Sequence, residues 1–373
     1  MTQEIKKLKI FIPKEIEVQE KRTSITPVLV KKLLEKNFEI IIEKDAGEGS
    51  MISDQDFIDA GASLVDINEN NYKEANLILG LNAPQNVPTL NKHQIEMMSP
   101  GACWISGFTP QSEEESIQKM KNKNVVGFSL NLMPRITRAQ NMDILSSQSN
   151  LAGYKAVIIA ANELLKVFPL MMTAAGTINP VKVVVMGAGV AGLQAIATAK
   201  RLGAQVEASD IRLAAKEQVE SLGAKFIEVD NSEDMEDEKG YAKEASPEFL
   251  KKQAEEVAKR VAQADVVITT ALIPGRKAPV LITEEMVKSM QKGSVIVDMA
   301  AIAGGNCALS KVGERVEKYG VKIIGDTDIT SQVAINATQV YAKNLENFIN
   351  ELVKDNNIDV DSDNEVIKNC RVS

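Results

Sequence analysis

The sequence predicts an α/β protein with two domains, each built on a parallel sheet. The chain has 373 residues, more than a single domain usually holds. Short apolar runs alternate with helix-length segments in two separate series, a pattern typical of parallel sheets covered by helices. A glycine-rich turn stands between a strand pattern and a helix pattern in the second series. A hydrophobic share of 44% with 25% charged residues is typical of a globular protein.

The first series predicts a domain that runs to about residue 145. Apolar, β-branched runs indicate strands, and LVKKLLEKN has the spacing of an amphipathic helix. The predicted strands lie in KIFIP, EIIIE, LILGL and VVGFSL. Leu151 to Met172 then reads as a long helix that links the two domains.

The second series contains six predicted strands, the number and spacing of a complete doubly wound dinucleotide-binding sheet. They lie in VKVVVMG, AQVEASD, AKFIEVD, ADVVITT, SVIVDMA and VKIIGD. After Asp328 the pattern becomes purely helical, and we expect this segment to return to the first domain. The predicted domains are therefore 1–145 with about 335–373, and 146–334.

Charge and composition exclude several classes of protein. The net charge of −8 and the pI near 5.1 argue against a nucleic-acid partner. Three cysteines without a CxxC pattern favour reduced thiols over a disulfide framework or a zinc site. No run of about 18 apolar residues occurs, so a soluble chain is expected.

The stretch VVVMGAGVAGLQAIATAKRLG matches the dinucleotide-binding fingerprint between a strand and a helix. Gly187 permits the tight turn, Gly189 lets the backbone approach a pyrophosphate, and Gly192 allows close packing of helix on strand. The start of the helix, at Val190, presents N–H groups to the phosphates. A bound nucleotide with its pyrophosphate against Ala188 and its neighbours is therefore predicted.

The next predicted strand ends at Asp210, 23 residues after Gly187, followed by Ile211 and Arg212. A carboxylate at that position accepts hydrogen bonds from the adenosine ribose and repels a 2′-phosphate, which favours NAD(H). Arg212 is an opposing signal, because a nearby arginine can accommodate the 2′-phosphate of NADP(H). Asp210 occupies the strand end itself and decides the prediction for NAD(H).

Two further segments are polar and irregular. Residues 230–248, with Gly240 and Tyr241 in the middle, are strongly acidic. They are either a solvated loop or a mobile lid over the nucleotide. Residues 135–150, RITRAQNMDILSSQSN, are too polar for a core segment and too poor in glycine and proline for a simple turn. We call residues 135–150 the polar cassette.

The sequence offers no obvious catalytic base. His93 is the only histidine and lies in the polar segment LNKHQIE, where an exposed helical position is expected. A histidine-rich metal site is therefore excluded, and a Ser-His-Asp triad is not expected.

Five long motifs carry a resemblance that covers essentially the whole chain. They are PKEIEVQEKRTSITP, SSQSNLAGYKAV, GAGVAGLQAIATAKRLGA, TTALIPGRKAPVLIT and DMAAIAGGNC. Together they resemble the superfamily of alanine dehydrogenase and the NAD(H)-binding domain I of proton-translocating NAD(P) transhydrogenase. The resemblance implies two Rossmann-like domains with parallel sheets, joined by long helices, with NAD in the interdomain cleft.

Within that superfamily the sequence is more similar to the transhydrogenase branch. The alanine dehydrogenase substrate site uses an arginine, a lysine and a histidine. Here Arg22 is retained, but Asn82 stands where the lysine would be, and ACWISGFTP has no histidine. Arg135, Gln140 and Asp143 reproduce the R-x4-Q-x2-D loop of transhydrogenase domain I.

The resemblance implies roles for individual residues. Gln140, Arg135 and Asp143 are expected to act in hydride transfer, with Asn141 and Ser146 beside them at the nicotinamide end. Gln253 and Leu272 are expected on the adenine side, and Gly240 and Tyr241 in the mobile loop at about 230–248. A helix-capping linker remains the alternative for the polar cassette, because aspartate and serine commonly cap helices.

The implied activity is transfer of hydride from NADH to NADP⁺, with Si–Re (A–B) specificity and no acid or base at that step. NADP(H) would be bound only by a partner domain, and a second, membrane-embedded domain would conduct protons. The resemblance also implies a homodimer located peripherally on the cytoplasmic or matrix face of an energy-transducing membrane. An alanine dehydrogenase-like enzyme and a non-catalytic NAD sensor are the alternatives.

Overall fold

A computed structural model describes residues 7–228, 247–272 and 276–373. The chain divides into two compact units, one of residues 1–148 with 331–373 and one of residues 149–330. We call them unit 1 and unit 2. The first division falls within a 20-residue helix, Ile144–Glu163.

Between residues 7 and 143, unit 1 has eight strands and five α-helices. The strands are β1 (Leu8–Ile12), β2 (Phe38–Glu43), β3 (Ser63–Val65), β4 (Leu77–Leu79), β5 (Asn86–Val87), β6 (Lys92–His93), β7 (Cys103–Ser106) and β8 (Val126–Ser129). The helices are α1 (Pro27–Glu35), α2 (Asp54–Asp59), α3 (Glu69–Glu74), α4 (Gln94–Met97) and α5 (Glu114–Lys123), and the 20-residue helix α6 (Ile144–Glu163) follows them.

Six of these strands form a parallel sheet in the order β3-β2-β1-β4-β7-β8. The order reverses between β1 and β4, which is the switch point where open α/β sheets usually bind ligands. Near-continuous apolar runs such as LKIFI form these strands because both faces of the sheet are covered. Helix α1 begins where the Thr26 side chain accepts a hydrogen bond from the backbone N–H of Leu29.

The C-terminal segment of unit 1 adds α11 (Ala334–Leu352), a short antiparallel hairpin of β18 (Val353–Lys354) and β19 (Asn357–Ile358), and α12 (Glu365–Cys370). One face of α11 enters the core of unit 1 through Tyr341, Leu345 and Phe348. The ring of Phe348 packs edge-on against that of Phe128 in β8. Helix α11 therefore belongs to the hydrophobic core that supports the sheet.

Unit 2 contains a seven-stranded sheet within residues 149–228, 247–272 and 276–330. Its strands, after the hairpin of β9 (Met171–Thr173) and β10 (Gly176–Ile178), are β11 (Lys182–Met186), β12 (Gln205–Ser209), β13 (Lys225–Phe226), β14 (Val266–Thr269), β15 (Val295–Asp298), β16 (Arg315–Lys318) and β17 (Val321–Ile324). The helices are α7 (Val190–Arg201), α8 (Ala214–Ser221), α9 (Pro247–Val261) and α10 (Glu284–Ser289).

The strand order of unit 2 is β13-β12-β11-β14-β15-β17-β16, parallel except for the antiparallel pair of β16 and β17. The switch point lies between β11 and β14, the position equivalent to that in unit 1. The buried run of Val183, Val184 and Val185 forms the central strand. The predicted α/β class with two parallel-sheet domains is therefore confirmed.

Several details of the prediction were wrong. The helix predicted for Leu151 to Met172 begins and ends about eight residues earlier, because Met171 already belongs to the β9–β10 hairpin. The short strands β3 and β7 and the antiparallel strand β16 were missed. The chain after Asp328 is not purely helical, since β18 and β19 follow α11.

His93 is buried rather than exposed, with 5% of its surface accessible. Its Nδ1 accepts a hydrogen bond from the backbone N–H of Ile95 at 3.3 Å, so it caps helix α4. Burial lowers the pKa of His93. The neutral imidazole is therefore a structural cap in unit 1.

Most residues of the hairpin of β9 and β10 expose their side chains. The accessible fractions are 82% for Met172 and 44% for Ile178, and Leu170 just before the hairpin is 58% exposed. None of the helices in the described segments of the chain has the length and apolar character needed to cross a membrane.

Candidate functional site

The turn after β11 has the geometry that a phosphate-binding loop requires. Gly187 has φ = +96°, a conformation that side-chain-bearing residues rarely adopt. A Cβ on Gly192 would lie 1.9 Å from the Gly187 carbonyl oxygen, so only glycine fits there. A Cβ on Gly189 would meet nothing within 4 Å. The backbone is therefore open at Gly189, at the N-terminus of α7, where a pyrophosphate would approach.

The Asp210 carboxylate at the end of β12 is almost fully enclosed, with 8% of the side chain accessible. Its Oδ2 accepts from the Ala188 backbone N–H at 2.7 Å, which ties the strand end to the glycine turn. Its two oxygens also accept from Arg212 Nε at 3.0 Å and Nη2 at 2.9 Å. Arg212 is therefore already engaged by Asp210 in a bidentate ion pair.

Helix α9 reaches the same strand end through Gln253, which is 7% exposed. Its Nε2 donates to Ser209 Oγ at 3.1 Å. Ile211 is partly exposed next to this contact. Leu272, just after β14, is 48% exposed, and Val190 at the start of α7 is 41% exposed. Both apolar side chains are thus accessible to a ligand.

A buried network that the sequence alone did not reveal holds the loop after β14. Asp298 is fully buried and accepts hydrogen bonds from Thr269 Oγ1, Ser310 Oγ and the backbone N–H of Asn306. The Asn306 side chain accepts from the Ala271 N–H at 3.0 Å and donates to the Ala271 carbonyl at 2.9 Å. Only the motif DMAAIAGGNC, through its family resemblance, pointed to this region.

In unit 1, the polar cassette contains a 3-10 helix, Thr137–Met142. Its period of three places Ala139 and Met142 on one side, where both are buried in the core. Gln140 and Asn141 lie between them and are exposed, as is Arg135. The apolar residues thus fix the turn, and the predicted ligand-contacting side chains face outward.

Asp143 acts as the N-cap of helix α6. Its Oδ1 accepts from the Ser146 N–H at 2.9 Å, and its Oδ2 accepts from Ser146 Oγ at 2.5 Å. The capping role that we considered as the alternative for the cassette is therefore present. It leaves the predicted contacts of Asp143 and Ser146 with nicotinamide untested.

Two asparagines of α11 hold the cassette from behind. Asn344 donates to the Asn141 carbonyl at 2.8 Å and accepts from Ser147 Oγ at 2.6 Å. Asn347 donates to the same carbonyl at 3.0 Å. The sequence gave no signal for either residue, because they lie about 200 positions further along the chain.

Arg22 lies in a buried network rather than at an open surface. Its Nε and Nη2 donate to the two oxygens of Glu20 at 2.8 and 2.5 Å, and its Nη1 donates to Gln148 Oε1 at 2.9 Å. Ser331 Oγ donates to Glu20 at 2.6 Å. Burial opposes ionisation of Glu20, but the hydrogen bonds from Arg22 and Ser331 outweigh it and lower the Glu20 pKa.

The switch point of the unit 1 sheet is closed by Glu15, which follows β1. Its Oε1 accepts from the Leu81 N–H at 2.6 Å, and its Oε2 accepts from Asn82 Nδ2 at 3.0 Å. The cavity left beside Glu15 and Trp104 measures about 10 Å³, room for a single water. Burial raises the pKa of Glu15 to about 7.

Gly240 and Tyr241, predicted for the mobile loop, lie outside the described residues. The glycine turn and Asp210 are brought together in unit 2, as are Ser209 and Gln253. Arg135, Gln140 and Asp143 are neighbours in unit 1.

Comparison with known proteins agrees with this architecture. The chain matches the family "Alanine dehydrogenase/PNT, N-terminal domain" over residues 11–152 and "Alanine dehydrogenase/PNT, C-terminal domain" over residues 156–373. The chain belongs to this family. The resemblance inferred from the motifs is thus confirmed.

Similar proteins narrow the branch. The first portion of the split NAD(P) transhydrogenase subunit alpha of Rhodospirillum rubrum is 50% identical over 347 residues, which cover 92% of this chain and 89% of that protein. NAD(P) transhydrogenase subunit alpha of Haemophilus influenzae is 41% identical over 97% of this chain and 70% of its own length. The crystal structure of transhydrogenase from Sinorhizobium meliloti has a TM-score of 0.87 and 44% identity, covering 97% of both chains. The chain is thus a member of the transhydrogenase alpha-subunit branch.

Proposed function

We propose that the chain is the NAD(H)-binding component of a proton-translocating NAD(P)⁺ transhydrogenase. In this function, hydride passes from NADH on this chain to NADP⁺ on a partner domain, with Si–Re specificity. The observation that carries the proposal is the 50% identity to a transhydrogenase alpha subunit over 92% of the chain. The intact glycine turn of unit 2 supports it, because that turn has an open backbone position for a pyrophosphate.

The nucleotide would be NAD(H) rather than NADP(H). The pyrophosphate would lie against the backbone from Gly187 to Gly192, and Asp210 would accept from the adenosine ribose. The ion pair of Arg212 with Asp210 supports this choice, because it commits the guanidinium that a 2′-phosphate would need. Gln253 and Leu272 would contact the adenine side.

At the nicotinamide end we assign Arg135, Gln140 and Asp143, with Asn141 and Ser146 beside them. Bound NADH supplies the hydride from C4 of its ring, so this chain needs neither a general acid nor a general base. What the chain must provide is a fixed orientation, since a displacement of about 1 Å can slow such a step about 100-fold. The exposed amide of Gln140 on a turn anchored by Ala139 and Met142 suits that task.

Oxidation of an amino acid is disfavoured by the contacts in unit 1. A substrate carboxylate would need the bidentate edge of Arg22, which Glu20 already occupies. Asn82, at the position of the superfamily's lysine, is held by Glu15. His93 is buried as a helix cap. No described feature therefore supports the alternative of an alanine dehydrogenase-like enzyme.

The proposal includes two further domains, one binding NADP(H) and one conducting protons through a membrane. The chain would lie peripherally on the cytoplasmic or matrix face of that membrane. We also propose a homodimer. The exposed apolar side chains of Met172 and Ile178 on the β9–β10 hairpin are suited to burial against a second copy.

The decisive experiment combines the purified chain with the NADP(H)-binding domain of a transhydrogenase. Hydride transfer from NADH to NADP⁺ is followed by absorbance after rapid mixing, with each protein alone as the control. The chain is then assayed by itself with alanine and NAD⁺. Transfer that requires both proteins supports the proposal, and turnover of alanine by the chain alone would refute it. NADH binding without either activity would favour a nucleotide sensor.

A further inference from the structure

The exposed turn of the polar cassette depends on a buried side chain from a distant helix. Asn344 is 7% exposed and belongs to the face of α11 that also buries Tyr341, Leu345 and Phe348. A polar group in such an apolar surface needs hydrogen-bond partners, because an unpaired one is costly. The partners of Asn344 both belong to the polar cassette.

The orientation of the Asn344 amide is set by chemistry. The Asn141 carbonyl can only accept, so the group 2.8 Å from it must be the Nδ2 donor. Oδ1 therefore faces Ser147 Oγ at 2.6 Å and accepts its hydrogen. One amide thus bridges two points of the chain, six residues apart, on either side of Asp143.

The residues between those two points include the cap of α6. Asn141 is next to Gln140 in the 3-10 turn, and Ser147 lies in the first turn of α6. Fixing Asn141 and Ser147 to the same side chain fixes the angle between the 3-10 turn and the helix. Because the Gln140 side chain is exposed, its position follows from the backbone of that turn.

We propose that Asn344 is a positioning residue for hydride transfer, which holds the turn of Gln140 in the geometry that the reaction needs. This inference rests on the proposed function. Asn344 acts through Asn141 and Ser147 and is not assigned a contact with the nucleotide. Its loss should slow transfer while nucleotide affinity, which depends mainly on the glycine turn of unit 2, changes little.

The test compares variants that break one bond at a time. Asn344→Asp keeps the acceptor for Ser147 but replaces the donor to Asn141 with an oxygen. Ser147→Ala removes the second bond alone. Asn347→Ala is the matched control, since it removes a donor to the same carbonyl from a more exposed position on α11.

Two readouts are measured for each variant. The first is the rate of transfer to the NADP(H)-binding partner, together with the NADH dissociation constant. The second is the rate at which trypsin cleaves after the exposed Arg138, which lies within the 3-10 turn. Fluorescence of Trp104, the only tryptophan and buried in unit 1, checks that each variant is folded.

We expect Asn344→Asp to slow transfer about tenfold or more with NADH affinity within about twofold, and to speed cleavage about tenfold. Ser147→Ala should have a smaller effect of the same kind, and Asn347→Ala the smallest. Unchanged transfer and cleavage in folded Asn344→Asp would overturn the inference, as would equal losses of transfer rate and affinity. If the unaltered chain transfers no hydride, the proposed function fails, and cleavage alone decides whether Asn344 holds the turn.

Discussion

The two units share one strand order but use its switch point in opposite ways. In unit 2, the loops after β11 and β14 meet at a glycine turn whose backbone is open at Gly189. In unit 1, the loops after β1 and β4 are joined by Glu15, which accepts from Leu81 and Asn82 and leaves a cavity of about 10 Å³. The same fold thus provides one open crevice and one closed crevice.

The difference shows that strand order alone does not make a binding site. The open crevice depends on missing side chains, so almost any Cβ near Gly192 would damage it. The closed crevice depends on a side chain that is present, so a conservative change leaves its shape intact. Unit 1 contributes instead through the polar cassette, at a different place from its switch point.

The largest effect should come from adding a methyl group to the open crevice. Gly192→Ala places a Cβ 1.9 Å from the Gly187 carbonyl, so helix α7 must move away from the turn. We expect a loss of about 3 kcal/mol in the free energy of unfolding of unit 2. Calorimetry and an NADH fluorescence titration measure stability and affinity.

Gly189→Ala is the matched control, because its Cβ would meet no protein atom. Its melting temperature should stay unchanged, while NADH affinity falls about tenfold as the methyl group occupies the path of the pyrophosphate. If both alanine variants melt normally and bind NADH normally, the turn is not a nucleotide site.

The next effect tests the closed crevice through pH. The pKa of Glu15 is raised from 4.5 to about 7, so the folded state holds a proton that the unfolded state releases. This stabilisation is complete below pH 4.5 and is lost as the pH rises through about 7. Glu15→Gln, a mimic of the protonated form, should gain on the order of 2 kcal/mol over the unaltered chain between pH 5 and pH 8.

Urea unfolding followed by Trp104 fluorescence measures this difference, because Trp104 lines the same cavity as Glu15. The expected gain is smaller than the full shift implies, since some of the Glu15 side chain faces solvent. Glu35→Gln, at an exposed carboxylate on α1, is the control. Parallel pH profiles for all three proteins would show that Glu15 does not titrate in this range.

A smaller effect concerns the choice of nucleotide in unit 2. Asp210→Asn removes the charge that pairs with Arg212 and weakens the acceptor for ribose hydroxyls. We expect NADH to bind about tenfold more weakly and the preference over NADPH to shrink. Equal losses for NADH and NADPH in binding titrations would contradict the assignment of Asp210 to the ribose.

The smallest expected effect concerns the polar cassette. Gln140→Asn shortens an exposed side chain by one methylene without disturbing Ala139 or Met142. Transfer to the NADP(H)-binding partner should slow about fivefold, with NADH affinity nearly unchanged. Thr137→Ala, at the exposed start of the same turn, should leave the rate unchanged. A collapse of NADH affinity in Gln140→Asn would show that Gln140 binds the nucleotide rather than aligning its ring.

Much of the fold could be predicted because parallel sheets leave a strong pattern. Buried strands such as Val266–Thr269 read as apolar runs, and the glycine turn marks the start of α7. Strand β3 and the β18–β19 hairpin are only two or three residues long per strand, too short for a periodic signal. His93 was misjudged because its polar neighbours suggested a surface, whereas its burial arises from tertiary packing.

The candidate site shows a similar division. The glycine turn and Asp210 are close in sequence and share a local motif, so they could be found from the residues alone. Asn344 and the pair of Asp298 and Asn306 could not, because they act through contacts between distant segments. The roles of Gln140, Arg135 and Asp143 in hydride transfer remain predictions that the variants above address.

The antiparallel strand β16 has a consequence for how the protein behaves at high concentration. It forms one edge of the unit 2 sheet, and its sequence RVEK carries exposed Arg315, Glu317 and Lys318. A charged, four-residue border strand is a poor template for another chain, and β13 at the opposite edge has only two residues. Both borders of this long sheet therefore resist the edge-to-edge stacking from which fibrous aggregates grow.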